Sequence, residues 1–396
     1  MKPIELPDYE ALFCQYVVRS VRAMGRQLQA NNNVPLSEQA VQDAWHVLDF
    51  GLRLADAWPY TCALLLNLAS NLEQAGYRDD WLGYLEDGIM ASQQYGDARA
   101  EAELRLHAGH LDYLCSRFAK AEASLNHSLT LFQTCGDARS QARTYNELAW
   151  LNHLQHRYAE ATQQVEQALA LLPPDDPERA MSYRVQGMIA IDERRWTQAE
   201  EFHRQALLSF EKQGDRRRLA WSIQNLAYSL RGQSRHIEAI TYYQHAIAIL
   251  KDIQDPVHCA IAQMNLGIIY WMDGQSTKAL EMYNLAEQTF IKCQDIYNLA
   301  KVFNNKGLQY MHLRDWPQAE KSFLHSAALH EKIGDINLRL NALDGLGLVY
   351  LGQGQSDKAL ATFTLILTAL PLINGTPTYN YLTKVLPGQL EQAKQG

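Results

Sequence analysis

Two pairs of histidines are spaced so that their imidazole rings could act together, most simply as ligands of a metal ion. His107 and His110 are three residues apart, as are His153 and His156, and each pair would share one face of a helix, the second pair exposed near its end. A metal or catalytic centre needs more ligands, and the sequence has no HExxH motif, no Cys-x-x-Cys pair and no carboxylates that converge on these histidines. Phosphate-binding GxxxxGK(S/T) and nucleophile GxSxG motifs do not occur either. We therefore predict a protein that is not an enzyme and has no catalytic residues, metal or cofactor.

Asparagines form a second polar pattern, because they recur at a fixed spacing. Asn225, Asn265 and Asn305 follow each other at intervals of 40 residues, Asn67 has the same Asn-Leu-Ala context as Asn225, and Asn146 lies one residue earlier than the equivalent position. Asparagine is a mediocre helix former, so its recurrence within helices needs a reason. Its amide has donors and an acceptor that can bind the N–H and C=O groups of an extended peptide. Alternatively, the amides form hydrogen bonds to a neighbouring helix turn and stabilise the packing.

The elements that position these residues belong to an internal repeat of about 40 residues. A small residue is followed twelve positions later by alanine in seven pairs, which are Gly109/Ala121, Ala149/Ala161, Gly187/Ala199, Ala227/Ala239, Gly267/Ala279, Gly307/Ala319 and Gly347/Ala359. A second marker has the same period and comprises Gly96-Asp97, Gly136-Asp137, Gly214-Asp215, Gln254-Asp255, Gln294-Asp295 and Gly334-Asp335. Two independent markers in phase indicate that one structural unit is repeated.

Each repeat has the features of a helical hairpin. Glycine supplies the left-handed residue after one helix, and the aspartate that follows caps the next helix, as Asp176-Pro177 and Asp255-Pro256 also would. The small residue and the later alanine let the two helices of a hairpin approach closely. Between the markers, apolar residues recur at helical spacing and no segment alternates as a strand would. The sequence therefore predicts an all-α array.

The chain resembles tetratricopeptide-repeat (TPR) proteins over roughly residues 59–370. The family pattern has Leu, a small residue and Tyr on the first helix, then Ala, an aromatic residue and Ala on the second. Leu266-Gly267-x-x-Tyr270, Ala279, Tyr283 and Ala286 match it fully, and Leu346-Gly347-x-x-Tyr350, Ala359 and Phe363 match it nearly as well. Aromatic residues open the second helix in other repeats, at Phe118, Tyr158, Trp196 and Trp316. The long period resembles that of kinesin light chains, Pins-type adaptors and bacterial Rap and MalT-like regulators. This resemblance implies a right-handed α-solenoid superhelix with a concave groove lined by the first helices.

The repeat divides the sequence into three parts. Residues 1–57 are expected to form an N-terminal helical pair or capping bundle joined by 31–35, and residues 371–396 a C-terminal capping helix. Between them, about eight repeats are expected at 58–96, 97–136, 137–175, 176–214, 215–254, 255–294, 295–334 and 335–370.

The resemblance implies that a partner protein binds in the groove, with asparagines holding its backbone. Counting along the first helices gives the expected peptide-binding residues, which are Asn67, Asn146, Asn225, Asn265, Asn305, Trp150, Arg184, Trp221, Tyr228, Ile268, Trp271 and Lys301. Apolar members would receive side chains of the partner. For any one of them, packing between repeats is an equally good interpretation. A mildly basic stretch in the middle repeats hints at an acidic peptide.

Composition limits the remaining possibilities. With 36 basic and 44 acidic side chains the net charge is −8, which disfavours nucleic-acid binding. The first ten residues contain no signal-peptide core, no apolar run is long enough to span a membrane, and six cysteines without a paired motif indicate reduced thiols in the cytoplasm, in a sequence of bacterial character. We predict a cytoplasmic peptide-binding scaffold or adaptor, with a possible homodimer through the terminal helices. The alternative is a peptide-controlled switch of the Rap type that acts on a signalling protein through its N-terminal helices.

Overall fold

The computed structural model describes residues 9–30, 36–75, 78–115 and 117–395. Within these residues the chain is helical, contains no strand and packs its consecutive helices against each other, as expected for an all-α solenoid. The linker expected at 31–35 lies outside the described residues. By its internal contacts the chain divides into two compact units, Met1–Ser222 (unit 1) and Ile223–Gly396 (unit 2).

Unit 1 contains ten complete helices within its described residues. They are α1 Tyr9–Ala30, α2 Glu38–Gly51, α3 Trp58–Ala75, α4 Arg78–Gln94, α5 Ala98–Leu114, α6 Phe118–Thr134, α7 Ala138–Leu154, α8 Tyr158–Leu171, α9 Arg179–Asp192 and α10 Trp196–Gln213. A short 3-10 helix, Ala55–Ala57, precedes α3. The two helices expected before residue 57 are therefore present.

The boundary between the units falls within α11, Arg216–Gly232. The helices of unit 2 are α12 His236–Asp252, α13 Pro256–Met272, α14 Ser276–Lys292, α15 Ile296–His312, α16 Trp316–Ile333, α17 Ile336–Gly352, α18 Ser356–Ala369 and α19 Pro377–Gln395, with a 3-10 helix at Leu370–Ile373. From α3 to α18 the odd-numbered helix of each hairpin is called the A helix and the even-numbered one the B helix.

The turns between hairpins have the predicted chemistry. Gly96, Gly136, Gly214 and Gly334 have φ between +67° and +79°, and the aspartates after them accept hydrogen bonds from the first turn of the next helix, for example Ala100 N to Asp97 Oδ1 at 3.0 Å. Gln254 and Gln294 adopt the same left-handed conformation at φ of +54° and +53°, where glycine would be less strained.

One predicted helix start is wrong. Asp176 accepts a hydrogen bond from Glu178 N at 2.8 Å, but α9 begins only at Arg179, so Asp176 closes a turn before the helix rather than capping it.

The hairpins close around the small residue of the A helix, and the side chain sixteen residues later fills the space; it is Leu125 beside Gly109 and an aromatic ring beside the glycines of unit 2. A Cβ added to Gly267 would lie 2.6 Å from Tyr283, and one added to Gly347 would lie 2.4 Å from Phe363. The close approach predicted at the small residue and the alanine twelve residues later is seen at Gly109, where an added Cβ would also lie 3.2 Å from the backbone oxygen of Ala121. The fully buried rings of Tyr283 and Phe363 fix how the A helix is rotated against the B helix.

The α9–α10 hairpin has a polar ring in this position. A Cβ on Gly187 would lie 2.3 Å from the His203 ring, which is fully buried, and neither ring nitrogen has a hydrogen-bond partner. Burial, with a smaller contribution from the charge of Arg184, lowers the pKa of His203 to about 3. The neutral imidazole therefore replaces an aromatic ring at neutral pH.

The end of unit 2 is closed by α19, the expected final helix. Its Gln389 donates a hydrogen bond of 2.9 Å to Asp344 on α17, and Tyr381 donates a second to the same carboxylate. Within the described residues, one window, Ser356–Ile373, is long and apolar enough to cross a membrane, with a mean hydropathy of 1.4. Of this segment 28% is buried, including Phe363 and Ile366 in the core of unit 2, so it has one packed face and one exposed face.

Candidate functional site

The packing of the hairpins determines which A-helix residues face away from the B helix of their own hairpin. The small residue of each A helix points at its B helix, and successive residues are rotated by about 100°. The residue two positions earlier is therefore turned by about 200°, to the opposite side of the A helix. Asn225, Asn265 and Asn305 are in this position, before Ala227, Gly267 and Gly307. The local packing thus directs these amides away from their own hairpins.

All three asparagines lie in unit 2 and are only partly buried. Among the described residues, the side-chain amides of Asn225, Asn265 and Asn305 make no hydrogen bond. Ser229 Oγ donates a 3.0 Å hydrogen bond to the backbone oxygen of Asn225 and not to its amide. The helix-stabilising bonds considered as the alternative are thus not formed. The donors and acceptors of these amides are thus not used within the described residues.

The asparagines are flanked by apolar and cationic side chains that are also half-buried. Tyr228 and Ile268 occupy equivalent positions on α11 and α13, and Trp271 is one turn beyond Ile268. Lys301 precedes Asn305 by one turn, so that the two share one face of α15. We call the surface formed by Asn225, Tyr228, Asn265, Ile268, Trp271, Lys301 and Asn305 the asparagine face. It combines unbonded amides with apolar side chains and one ammonium group.

The series Asn225, Asn265 and Asn305 does not continue on α17, and the reason is steric. Its equivalent position is Gly345, where a Cβ would lie 2.4 Å from the ring of Phe323 on α16. Because the ring fills that space, no side chain fits there without displacing it.

Unit 1 has different residues in the same register. On α7 the position is occupied by Glu147, whose Oε2 lies 3.0 Å from His110 Nδ1 and accepts a 2.6 Å hydrogen bond from the Tyr113 hydroxyl. Burial alone would raise the pKa of Glu147, but the charge and hydrogen bond of His110, together with the Tyr113 bond, outweigh it and lower that pKa to about 2. Arg143 and Glu103 form an ion pair beside it, with N–O distances of 3.0 and 3.1 Å.

Asn146 differs from the other predicted asparagines because it is one residue out of register. The shift rotates it by about 100°, and its side chain is buried instead of facing outwards. Ser182 Oγ donates to its Oδ1 at 2.7 Å, and its Nδ2 contacts Glu178 at 3.4 Å. Burial raises the pKa of Glu178 although Arg218 and Arg143 act against it. Since its amide is bonded inside the protein, we leave Asn146 out of the candidate site.

The predicted aromatic and arginine residues of unit 1 stack on each other. The Arg184 guanidinium lies 4.3 Å from the Trp150 ring centroid and 5.6 Å from that of Trp221, and Arg217 lies 4.7 Å over Trp221. Glu103, Arg143, Glu147, Trp150, Arg184 and Trp221 form what we call the ion-pair face. The sequence-based prediction missed the contribution of His110, Tyr113 and Glu103. Opposite charges 40 residues apart could have indicated Glu103 as the partner of Arg143, but no such signal connects His110 and Tyr113 with Glu147. Asn67 is exposed on α3 of the same unit.

The histidine pairs form no metal centre among the described residues, where no group of three or more His, Cys, Asp or Glu side chains is arranged to hold an ion. The expectation of an exposed His153 is wrong, because its ring is buried with Nε2 2.8 Å from Asp192, while His156 has a left-handed φ of +60°.

A family model for the tetratricopeptide repeat matches residues 99–173, 178–252, 222–292 and 298–371, well over half of the chain. No curated protein sequence matches the chain. The fold is similar to that of a Rap protein complexed with Competence and Sporulation Factor, with a TM-score of 0.63 and 14% identity over 95% of this chain and 99% of that one. The fold is also similar to that of aspartyl phosphate phosphatase F from Bacillus subtilis, with a TM-score of 0.53 and 13% identity over 91% of this chain and 95% of that one.

A signal-transduction ATPase with a tetratricopeptide-repeat sensor from Pyrococcus horikoshii gives a TM-score of 0.56 and 14% identity over 90% of this chain and 55% of that one. At such identities these similarities show the shared fold.

Proposed function

Because the chain belongs to the tetratricopeptide-repeat family, whose members act in protein interactions, we propose that it is a non-enzymatic scaffold that binds an extended segment of a partner protein on the asparagine face. The three unbonded amides of Asn225, Asn265 and Asn305 carry this proposal. Each of them offers both hydrogen-bond donors and an acceptor to a peptide backbone, which exposes both kinds of group along an extended chain.

The residues that flank the asparagines determine which side chains the bound segment of the partner should carry. Tyr228, Ile268 and Trp271 would receive apolar side chains, and half-buried aromatic residues are effective anchors because much of their surface is desolvated on binding. Lys301 would favour an acidic residue near one end of the segment. The partner is thus a peptide segment with apolar side chains and a carboxylate, held through its backbone.

A selection from a library of random linear peptides tests the proposal. Peptides enriched on the wild-type protein are measured by fluorescence anisotropy against the Asn225→Ala/Asn265→Ala variant. Losing two amides should weaken binding about 10- to 100-fold, since each hydrogen bond contributes about 0.5–1.5 kcal/mol. Asn126→Ala, which removes an exposed asparagine on α6, is the matched control and should leave affinity unchanged. Equal affinity of the double variant and the wild type would contradict the proposal.

A peptide-controlled switch is the second candidate. The observation that favours it is the similarity to the Rap protein, which extends over 95% of this chain and therefore includes N-terminal helices. In a switch, a selected peptide bound to the asparagine face would change hydrogen exchange in α1–α4. In a scaffold, the change would be confined to the A helices that carry the face.

We also propose that the protein acts in the cytoplasm, where its unpaired cysteine thiols would stay reduced, and that it pairs with a second copy through a terminal helix.

A further inference from the structure

The first helix has two apolar faces, and the described residues cover only one of them. Val17, Val21, Met24 and Leu28 of α1 are buried in the core of unit 1. A second row begins at Tyr9 and recurs at Leu12, Phe13 and Tyr16, the spacing of one helix face. We call this row the aromatic stripe.

The aromatic stripe is highly exposed for side chains of this kind. Tyr9 and Tyr16 are each 70% exposed, and Leu12 and Phe13 about half. Phe50 of α2 extends the surface, since its ring meets that of Phe13 edge-on at 5.8 Å. With about 150–250 Å² per aromatic side chain, the patch exposes about 500 Å². This is at the upper end for a monomer, and two such patches together reach the roughly 1,000 Å² that a specific interface needs.

The order of residues in the stripe makes it complementary to itself. Read in either direction it runs Tyr, apolar pair, Tyr, with its centre between Leu12 and Phe13. Two-fold symmetric interfaces place the same surface patch of both copies together. We propose that α1 pairs with α1 of a second copy in antiparallel orientation, so that Tyr9 packs on Tyr16 of the copy and Leu12 on its Phe13. This specifies the homodimer of the proposed function and does not depend on peptide binding.

The charges of α1 favour the antiparallel orientation. Arg19, Arg22 and Arg26 are exposed and lie beyond the stripe, on its C-terminal side. In a parallel pair each arginine would lie opposite the same arginine of the second copy, and the like charges would repel. In an antiparallel pair centred on the stripe, the two Arg19 side chains are about 20 Å apart along the helices, at a rise of 1.5 Å per residue. That separation exceeds the screening length of about 8 Å at physiological salt.

Analytical ultracentrifugation of complementary charge variants tests the pairing. At about 50 µM, a concentration at which a dimer with a micromolar dissociation constant is formed, the wild type should sediment with a mass of twice 45.1 kDa. Leu12→Glu and Phe13→Lys should each be monomeric, because two charges would be buried in the interface. An equimolar mixture of the two variants should recover a dimer, since Glu at 12 then faces Lys at 13 of the other copy. Gln27→Glu, on the same face but beyond the stripe, should dimerise like the wild type.

A monomeric wild type, or dimers in both single variants, would overturn the proposal. Single variants that are monomeric but gain no dimer on mixing would overturn the antiparallel register. Far-ultraviolet circular dichroism melts check that both variants fold, as expected for side chains already about half exposed. Anisotropy with a selected peptide is measured on the same samples. Retained peptide binding without dimers, or dimers without peptide binding, shows which of the two proposals fails.

Discussion

The ion-pair face of unit 1 and the asparagine face of unit 2 are built on the same register of A helices but use their polar groups differently. In unit 1, Glu147 is bonded to His110 and Tyr113, and Arg143 to Glu103. In unit 2, the amides of Asn265 and Asn305 make no hydrogen bond among the described residues. A polar side chain in this register therefore stabilises the stack only when a neighbouring repeat supplies its partner. Without that partner, its hydrogen-bonding groups are not used within the described residues, which is the state from which we propose that unit 2 binds a peptide.

The largest expected difference between the units is their response to acid. His203 has a folded-state pKa of about 3 against 6.5 when unfolded, so unit 1 has its full stability above pH 6.5 and loses it as the pH falls towards 3. At pH 4 the loss is about 3 kcal/mol, at 1.36 kcal/mol per pH unit. His203→Phe should remove this dependence, because Phe323 and Phe363 already pack on glycine in the equivalent place. Hydrogen exchange of α9 and α10 between pH 7 and 4 measures it.

Unit 2 should be less sensitive over this pH range. Burial lowers the pKa of His330, but Asp335 acts in the opposite direction. Burial raises the pKa of Asp344 despite its hydrogen bonds to Gln389 and Tyr381. Protonation of this carboxylate at low pH therefore removes the cost of burying its charge and stabilises the folded state. If α13–α16 lost protection before α9 and α10, the assignment of acid sensitivity to His203 would be wrong.

A smaller effect is expected from removing the charge at the centre of the ion-pair face. Glu147→Gln should lower the free energy of unfolding by about 2 kcal/mol, the contribution of a hydrogen-bonded charge. The loss should disappear as the pH falls from 4.5 towards 2, because the folded-state pKa of Glu147 is depressed to about 2 and its stabilisation is lost over that range. Urea denaturation at pH 7 and 3 checks both points. A variant as stable as the wild type at pH 7 would show that the bonds to His110 and Tyr113 contribute nothing.

The smallest effect concerns Lys301 on the asparagine face. Lys301→Gln should weaken a selected acidic peptide only a few-fold, because a half-buried charge pair contributes about 1 kcal/mol or less. The difference should vanish at high salt. Anisotropy titrations at two salt concentrations measure it, and a salt-independent loss would indicate that Lys301 acts by packing instead.

The repeat made the fold predictable, because each marker has one mechanical role. Glycine at φ above zero and the capping aspartate fixed the hairpin boundaries, and Phe118, Tyr158, Trp196 and Trp316 are the first residues of their B helices. The departures occur where one residue changes the geometry. Asp176 is followed by proline as Asp255 is, yet α9 begins only at Arg179 whereas α13 begins at Pro256 itself.

The sequence predicted the position of the asparagines but not their bonding state. Whether an amide is free depends on its neighbours in the adjacent repeats, which no spacing rule specifies. Asn146 and Asn265 differ by a single residue in register, and one is buried and bonded to Ser182 while the other is not. The burial of His153 was not predicted for the same reason: it depends on Asp192, which lies on the next hairpin.

The most direct test of the account measures binding and stability on the same pair of variants. We predict that Asn225→Ala/Asn265→Ala binds a selected peptide about 10- to 100-fold more weakly while its free energy of unfolding stays within about 0.5 kcal/mol of wild type. Glu147→Gln should do the reverse, losing stability and keeping affinity. If the asparagine variant instead lost stability and bound the peptide like wild type, its amides would serve the stack, and the asparagine face would not be the binding site.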